Sequence, residues 1–537
     1  MRLGIDFGTT RIVVAWADRG NYPMVSFEAT DGSSQDWFPP LVAVQGDRRI
    51  YGWVAWAAQG EPGWTVVRSI KRALEASGPE TRVQIADQAI PILQLLREMV
   101  AALRTSLTLH STLPAPGNQP LEVMLGVPAN ANSNQRFLTV EAFRQGGFQV
   151  LGLLNEPSAA GVEFGHGERK GKKQAARILI YDLGGGTFDA SLVEFGGDEQ
   201  AVIASEGIPT LGGDNFDEIL AELALESAAL REEERESLSQ AEMFRLLEEC
   251  REKKESLHPN TRRVLVDLGV VRAGWQEVSV PVIEFYERCR ALVEETLHAT
   301  EDLVSGLHAG GASSASGGEA PLEVLYVTGG GSELPLVARM LRETFGRRVR
   351  RSAYTRSATA VGLAIQADSR AGYRLAEKFT RYFGVWREAD GGRAVAFDPL
   401  FAKGMNLPEP AEPPLVSRRR YVPVHNVGHF RYLECSRLDA EGRPAGDLAV
   451  WDDIRFPFDS TLQGDGELAE VPVIRRETAP DEEAEESYSC DASGMVAVTI
   501  TRRSDGYSRR YRLSRWSAAE RILVPARPQK ASRARSA

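Results

Sequence analysis

Apolar residues in the first 371 positions alternate between short runs and stretches with helical spacing. Runs such as 121–128 and 322–328 predict buried strands, because they are short, apolar and followed by Pro or Gly turns. Longer stretches carry their apolar residues on one face, which predicts amphipathic helices. These stretches are 134–145, 214–230, 240–257, 288–307 and 333–345. Strands that alternate with helices predict an α/β fold.

The pattern changes after about residue 379, where the helical periodicity fades. Short β-prone runs separated by turn residues, such as 430–435 and 495–501, predict a separate antiparallel β domain. The acidic segment 481–486 is interpreted as a loop of that domain, and the Ser- and Gly-rich segment 310–318 as a flexible loop. The predicted divisions are an α/β domain at 1–375, a β domain at 376–516 and a basic flexible tail at 517–537.

One motif occurs twice, as an apolar strand, an Asp, a Gly-rich turn with Thr, and a second apolar strand. The copies are Leu-Gly-Ile-Asp-Phe-Gly-Thr-Thr at 3–10 and Ile-Tyr-Asp-Leu-Gly-Gly-Gly-Thr-Phe-Asp at 180–189. Glycine lets backbone N–H groups approach phosphate oxygens, Thr adds hydroxyl donors, and Asp holds a hydrated cation or orients water. A tight hairpin explains either copy alone. Two such copies favour a nucleotide site between two similar halves. The P-loop motif is missing, which excludes the P-loop class of nucleotide-binding proteins.

Composition narrows the class of protein. The 537 residues predict more than one domain, and 43% hydrophobic with 26% charged residues is typical of a globular chain. A net charge of −11 argues against a general nucleic-acid binder. The four cysteines lack metal-type spacing, and no apolar run reaches membrane-spanning length. With a strand predicted directly after Met1 and Arg2, these features predict a cytoplasmic protein.

Five segments together resemble the seventy-kilodalton heat-shock chaperones of the DnaK type. They are Asp-Phe-Gly-Thr-Thr at 6–10, Asn-Glu-Pro-Ser-Ala-Ala-Gly at 155–161, the second Asp-Gly motif at 182–189, Leu-Gly-Gly-Asp-Asn-Phe-Asp at 211–217, and Thr-Gly-Gly-Gly-Ser at 328–332. The resemblance implies an actin-like ATPase domain of two ribonuclease-H-like lobes with ATP in the cleft. It further implies a smaller β-sandwich-like domain that binds unfolded polypeptide, and co-chaperones as partners.

The same resemblance implies the site residues. The catalytic set is Asp6, Glu156, Asp182 and Thr187, and the first three would surround Mg²⁺, mainly through water. The nucleotide contacts would be Gly8, Thr9, Thr10, Gly184, Gly185, Gly186, Thr187, Gly212, Gly213, Lys254, Gly329, Gly330 and Gly331. Simpler interpretations remain for two of them: Glu156 with Pro157 also suits a helix start, and Lys254 also suits a solvated helix charge.

The chain departs from the family pattern at four points. Trp56 aligns with a lysine that approaches the γ-phosphate in the family, which predicts slow hydrolysis unless Arg68 or Lys71 substitutes. Glu333 replaces a basic residue that stacks on the base. The junction at 374–381 lacks the leucine run of the family linker, and no helical lid is expected after the β domain.

Three functions remain open from the sequence. The first is an ATP-binding chaperone with ATP hydrolysis, and the second is a nucleotide-gated binding protein without turnover, for which Trp56 is the argument. The third is a small-molecule kinase on the actin-like fold, for which no acceptor pocket or general base stands out. Phosphate release with ATP alone, binding without release, and transfer that needs a metabolite would distinguish them.

Overall fold

A computed structural model describes residues 1–523 except positions 60, 79–80, 130, 169–175, 197–198, 229, 310–321, 373, 409–411, 464–467, 477–482 and 513–521. The expected flexible loop at 310–318 therefore lies outside the described residues. No helix in the described part of the chain is long and apolar enough to cross a membrane.

The strands are β1 (Arg2–Phe7), β2 (Ile12–Trp16), β3 (Phe27–Glu28), β4 (Ser34–Gln35), β5 (Val42–Gln45), β6 (Arg48–Tyr51), β7 (Thr65–Val67), β8 (Arg82–Ile85), β9 (Gln88–Pro91), β10 (Glu122–Val127), β11 (Gln149–Asn155), β12 (Ala176–Leu183), β13 (Phe188–Gly196), β14 (Glu199–Ile208), β15 (Arg263–Asp267), β16 (Glu277–Pro281), β17 (Leu322–Thr328), β18 (Val349–Arg351), β19 (Arg374–Ala376), β20 (Tyr382–Ala389), β21 (Ala394–Phe401), β22 (Leu415–Tyr421), β23 (Val427–Leu438), β24 (Pro444–Pro457), β25 (Ala484–Cys490), β26 (Val496–Arg502), β27 (Ser508–Arg512) and β28 (Ile522–Leu523). The α-helices are α1 (Gly52–Ala57), α2 (Ile92–Leu109), α3 (Ser133–Gln145), α4 (Glu156–Glu168), α5 (Gly213–Ser227), α6 (Glu232–Glu236), α7 (Gln240–Glu255), α8 (Val282–Ala309), α9 (Pro335–Phe345) and α10 (Ala358–Ala367).

The two motif copies begin two mixed sheets. The first sheet has the order β11-β10-β1-β2, and the second has the order β18-β17-β12-β13-β14-β19. In each, the motif's own strands pair antiparallel, β1 with β2 and β12 with β13, and the first of them also pairs parallel with a later strand. The mixed α/β class predicted for this part of the chain is what the structure has.

Helices α4 and α10 pack against each other beside both sheets, since α10 contacts β1 and β10 while α4 contacts β12 and β13. Their close approach depends on glycine. A Cβ on Gly362 would lie 1.8 Å from the carbonyl oxygen of Ala159, and one on Gly4 would lie 2.2 Å from the amide nitrogen of Ala364. These contacts hold β1 against α10 and α10 against α4.

The predicted helices are present with shifted ends. Helix α8 begins at Val282, earlier than expected, because β16 ends at Pro281 and the chain turns directly into the helix. Helix α9 begins at Pro335, after a 3₁₀ turn at Gly330–Glu333. Proline suits the first helical turn, where its missing N–H would have no partner.

The C-terminal part consists of two four-stranded antiparallel sheets, β21-β20-β23-β24 and β22-β25-β26-β27. Aromatic side chains fill the core, among them Phe383, Tyr432 and Tyr488. The interpretation of 481–486 as a loop was wrong at 484–486, which begin β25. Glu486 can lie inside a strand because its carboxylate is buried in an ion pair with Arg387.

Two short strands lie at the expected domain limits. Strand β19 extends to Ala376 and pairs parallel with β14, so the six-stranded sheet reaches one residue past the expected boundary. In the expected tail 517–537, Ile522 and Leu523 pair parallel with β8, and the remaining tail positions lie outside the described residues.

Candidate functional site

The two Gly-rich turns contact each other. A Cβ on Gly185 would lie 2.3 Å from the Oγ1 atom of Thr10, and one on Gly186 would lie 2.8 Å from the Oγ1 atom of Thr9. A Cβ on Gly212 would lie 2.6 Å from the carbonyl oxygen of Gly185. Any side chain at these glycines would displace a neighbour, so glycine is required for the two turns to meet.

One cavity opens where the turns meet. Its lining includes the predicted site residues Asp6, Gly8, Thr9, Thr10, Glu156, Asp182, Gly184, Gly185, Thr187, Gly213, Lys254, Gly329, Gly330 and Gly331. The predicted site residues Gly186 and Gly212 are not part of the lining and instead make the close turn contacts with Thr9 and Gly185. The lining also includes residues outside the predicted site set, namely Arg11, Val13, Lys71, Asp214, Asp217, Arg251, Glu255, Thr355, Arg356 and Thr359. Asp214 and Asp217 lie within the motif at 211–217, and Lys71 was expected only as a possible substitute for the family lysine.

Buried carboxyl groups lie in the cavity lining, at Asp6, Glu156 and Asp182, and behind it, at Asp189. Burial and the charge of Glu156 raise the pKa of Asp6 to about 7. Burial, followed by the charges of Glu156 and Asp6, raises the pKa of Asp182 well above its usual range. Burial and Glu156 also raise the pKa of Asp189 to about 7, and its carboxylate accepts a 2.9 Å hydrogen bond from the Ala129 amide. This concentration of negative charge suits a cation.

Direct metal ligation has no support in this arrangement. Among the residues that the structure describes, no three acidic, histidine or cysteine side chains are placed to hold a metal ion. A hydrated Mg²⁺ held mainly through water by Asp6, Glu156 and Asp182 remains a prediction.

Lys71 contacts the acidic cluster. Its Nζ atom lies 2.7 Å from the Oε1 atom of Glu156, and both side chains are buried. Burial disfavours the charged ammonium, but the charges of Glu156 and Asp6 outweigh it and raise the pKa of Lys71. The lysine is therefore a permanent positive charge in the cavity at neutral pH.

The segment that carries Lys71 is held on both sides. Ser69, at φ 57°, lies in the left-handed region just before a 3₁₀ helix at Ile70–Ala76. The Oγ atom of Ser69 donates a 2.9 Å hydrogen bond to Asp214 at the start of α5. The guanidinium of Arg68 pairs with Asp214 at 3.2 Å and with Glu248 at 3.1 Å. These bonds stabilise a strained turn that points Lys71 at Glu156.

The expectation that Trp56 occupies the lysine position of the cleft is corrected. Trp56 lies outside the lining of this cavity and packs against Trp37 and Trp53, with ring centroids 5.5 and 5.8 Å away. The guanidinium of Arg251 lies 5.2 Å from the Trp56 ring. The large indole is stabilised by these aromatic and cation–π contacts, and the charge facing the carboxylates comes from Lys71.

Two further expectations concern α7 and α4. Lys254 is buried rather than solvated: its Nζ atom donates a 2.7 Å hydrogen bond to the carbonyl of Gly213 and pairs with Asp217 at 2.7 Å. Glu156 both begins α4 and lines the cavity, so the helix-start interpretation is confirmed and does not exclude the role in the site, which stays a prediction.

The missed residues left weak signals in the sequence. Arg11 directly follows the first Gly-Thr-Thr turn, so it could have been added to the site by position. Lys71 was not missed, since the sequence offered it with Arg68 as a possible substitute for the family lysine, and the structure brings Lys71 into the cavity. Arg356 stands outside every motif, and its position depends on how distant segments fold together.

Comparisons with known proteins identify the class. The model of the family described as Hsp70 protein matches residues 115–379. A protein named "Chaperone protein HscA homolog" from Vibrio campbellii is 31% identical over 525 residues, covering 94% of this chain and 76% of its own. The chain therefore belongs to the Hsp70 family.

Other relatives match a shorter part. "Chaperone protein HscA" from Pectobacterium carotovorum is 30% identical over 384 residues, which are 68% of this chain and 58% of that protein. The protein of the same name from Serratia proteamaculans is 31% identical over 380 residues, 68% of this chain and 57% of that protein. In these matches the chain spans less than three fifths of the relatives' length.

Proposed function

We propose that the chain is an ATP-dependent chaperone. Residues 1–375 would form an actin-like nucleotide-binding domain of two lobes, and residues 376–516 a β domain that holds polypeptide. The observation that carries the proposal is the shared cavity, in which both Gly-rich turns and a group of buried carboxylates face the same space. Membership of the Hsp70 family supports the same function.

The residues of the cavity fit ATP and Mg²⁺. The turns at Gly8–Thr10 and Gly184–Thr187 supply backbone N–H groups and hydroxyls for phosphate oxygens, and they leave no room for side chains. Asp6, Glu156 and Asp182 would hold a hydrated Mg²⁺, which neutralises phosphate charge when it is bound. The same carboxylates can orient a water, and Lys71 adds a fixed positive charge beside Glu156. Lys254 and Gly329–Gly331 line the remainder of the cavity.

The β domain offers an apolar surface for extended polypeptide. Val395, Val422, Val424, Val473 and Ile474 are 36–64% exposed. The segments near them are joined, because the amide of Arg476 donates to the carbonyl of Val424 at 2.9 Å and the guanidinium of Arg475 donates to the carbonyl of Gly391, in the turn before β21, at 3.2 Å. We propose that these exposed apolar side chains contribute to a site for extended chain, which binds by backbone pairing and apolar pockets.

Of the two other functions, the nucleotide-gated binding protein without turnover is no longer supported. It depended on Trp56 in place of a cleft lysine, and Lys71 supplies a positive charge at the acidic cluster. No specific observation favours a small-molecule kinase.

The proposal is tested with purified protein, Mg-ATP and an unfolded peptide. ATP titration should show saturable binding, and phosphate release should be slow, accelerated by the peptide and abolished by EDTA. Binding without release under every condition would instead support the nucleotide-gated binding protein. Release that needs an added metabolite would support the kinase, and absence of ATP binding would refute the proposal.

Coupling between the two parts can also be tested, at Glu377. Its buried carboxylate accepts hydrogen bonds from the Asn155 backbone amide at 2.9 Å and from the Asn155 side chain at 2.7 Å. Arg136 donates to the same Asn155 side chain at 2.7 Å. Asn155 directly precedes Glu156, so this contact joins the linker to the nucleotide cavity without a leucine run.

We expect Glu377→Gln to reduce the ratio of peptide-stimulated to basal phosphate release toward one, because the amide can replace only one of the two accepting oxygens. Paired rates with and without peptide measure this ratio. Lys378→Ala, at the next position, is the matched control and should keep the wild-type ratio. Full stimulation in Glu377→Gln would show that this contact does not carry the signal.

A further inference from the structure

The last strand of the described chain pairs with a hairpin near its beginning. The hairpin strands β8 and β9 pair antiparallel, with Val83 opposite Ile90. On its other edge β8 pairs parallel with the C-terminal tail, in the register Ile522 with Arg82 and Leu523 with Val83. Within the part of the chain that the structure describes, this tail segment is the only partner of that edge. An open strand edge presents unpaired N–H and C=O groups, which favour the addition of another extended segment.

The tail sequence favours a short strand at this point. Between positions 517 and 537, the only Ile, Leu and Val residues are the run at 522–524, and Pro525 follows it directly. Ile and Val favour extended backbone, and proline, which has no N–H group, is suited to the end of a strand. The strand that the structure shows therefore coincides with the one run of large aliphatic residues in this tail.

Strand β8 packs with the segment that carries Lys71. Two other side chains of that 3₁₀ helix, Ile70 and Leu74, lie in the same buried core as Val83 and Ile85 of β8. Because protein interiors are close-packed, a displacement of β8 also displaces the helix that carries Lys71.

Hydrogen bonds connect the same two elements along the backbone. The Ser77 amide, directly after the 3₁₀ helix, donates to the Leu74 carbonyl at 3.2 Å. The Gly78 amide donates to the Oγ1 atom of Thr81 at 2.9 Å, and Thr81 directly precedes β8. The side chains of Ser77 and Thr81 are buried. These bonds fix both ends of the short connection between the helix and β8.

We propose that the edge of β8 is a docking site for the chain's own C-terminal segment, and that docking there holds Lys71 beside Glu156. The second part rests on the proposed function, because it concerns the hydrolysis of ATP. Backbone pairing stabilises β8, and β8 supports the helix that carries Lys71. Release of the tail weakens this support, so the tail regulates the rate of hydrolysis more than the affinity for ATP.

The first measurement is hydrogen exchange of the backbone amides at 82–85, in the full-length protein without nucleotide. The tail variant carries Ile522→Pro and Leu523→Pro, which remove both N–H groups of the strand. We expect the amides at 82–85 to exchange about 3- to 10-fold faster in this variant, the effect of losing one hydrogen bond. The matched control carries Arg533→Pro and Ala534→Pro, two prolines in the same tail beyond the strand, and should keep the wild-type exchange.

The second measurement is single-turnover hydrolysis beside an ATP titration. The tail variant should hydrolyse ATP about 3- to 10-fold more slowly, with an unchanged Kd for ATP. Combined with Lys71→Met, the tail substitutions should slow hydrolysis no further, because support for Lys71 has no effect once its ammonium is absent. A slowing that adds to that of Lys71→Met would show that the tail does not act through Lys71, and would overturn that part of the inference.

The remaining outcomes separate docking from regulation. Unchanged exchange at 82–85 in the tail variant would refute the docking. Protection of these amides that increases with protein concentration would assign the edge to the tail of a second copy, and would overturn docking within one chain. Faster exchange with an unchanged rate of hydrolysis would refute the regulation. If the unaltered protein does not bind ATP, the proposed function fails and the regulation with it, whereas the exchange measurement still decides the docking.

Discussion

Lys71→Met should lower the rate of ATP hydrolysis by about 10²- to 10³-fold, with a much smaller change in ATP affinity. The ammonium of Lys71 lies 2.7 Å from Glu156 in a buried cluster of carboxylates, where water cannot screen its charge. A charge held in place stabilises the phosphoryl group in the transition state more than it stabilises bound ATP. Removing this charge therefore lowers the hydrolysis rate more than it lowers the ATP affinity. Methionine keeps the unbranched stem and removes the charge.

The measurement is single-turnover hydrolysis beside an ATP titration. Lys253→Met is the matched control, since Lys253 lies on α7, is about one third exposed and pairs with Glu249. It should hydrolyse ATP at the wild-type rate. Lys71→Arg restores a positive charge and should recover part of the rate, which a role in packing alone would not produce. A Lys71→Met enzyme with normal turnover would remove Lys71 from the site.

Arg387→Met should destabilise the two C-terminal β-sheets by about 3–5 kcal/mol, because it leaves a buried carboxylate without its cation. Glu486 is fully buried, and its Oε2 atom lies 2.7 Å from the Nη2 atom of Arg387. The hydroxyls of Tyr421 and Tyr488 also donate to this carboxylate, but neutral donors cannot balance its charge. Asp398, the other partner of Arg387, keeps Arg419 at 2.7 Å.

Urea unfolding followed by tryptophan fluorescence measures the effect, since Trp451 lies in the core of these two sheets. The double variant with Glu486→Gln should be more stable than Arg387→Met alone, because the charge that lost its partner is then absent. Arg393→Met is the control: Arg393 is 79% exposed in its pair with Asp390 and should change stability by less than about 0.5 kcal/mol. An Arg387→Met protein of near wild-type stability would contradict the assignment of this ion pair.

The periodic segments of the chain were predictable because their pattern is local. The strand at 322–328 was predicted at its observed limits, and the helices at 134–145 and 240–257 within about two residues. The acidic start of β25 was missed for the opposite reason. A strand with Glu485 and Glu486 reads as a loop until Arg387, about a hundred residues earlier, is known to lie against it.

The candidate site also contains residues that a local motif predicts and residues that only the fold brings together. Asp6, Asp182 and the glycine turns could be identified because one motif, repeated, carries the strand, the carboxylate and the turn together. Trp56 was misplaced because alignment assigns a role by position along the chain. The lysine that faces Glu156 comes from a 3₁₀ helix that follows a left-handed serine, and Arg68 and Ser69 hold that turn through Asp214.

By itself, the sequence determined the α/β and β parts of this protein, the duplicated turn and its likeness to the Hsp70 family, since each depends on residues close together in the chain. The sequence pointed to Lys254 and offered Lys71 only as one of two candidates, and tertiary structure decided which partners Lys71 and Arg356 meet. Lys71 meets Glu156, and Arg356 meets Glu255 and Glu333, across separations that no local pattern records. Burial then determines how strongly these charges interact, because the exclusion of water depends on the packing of the folded chain and not on any single segment.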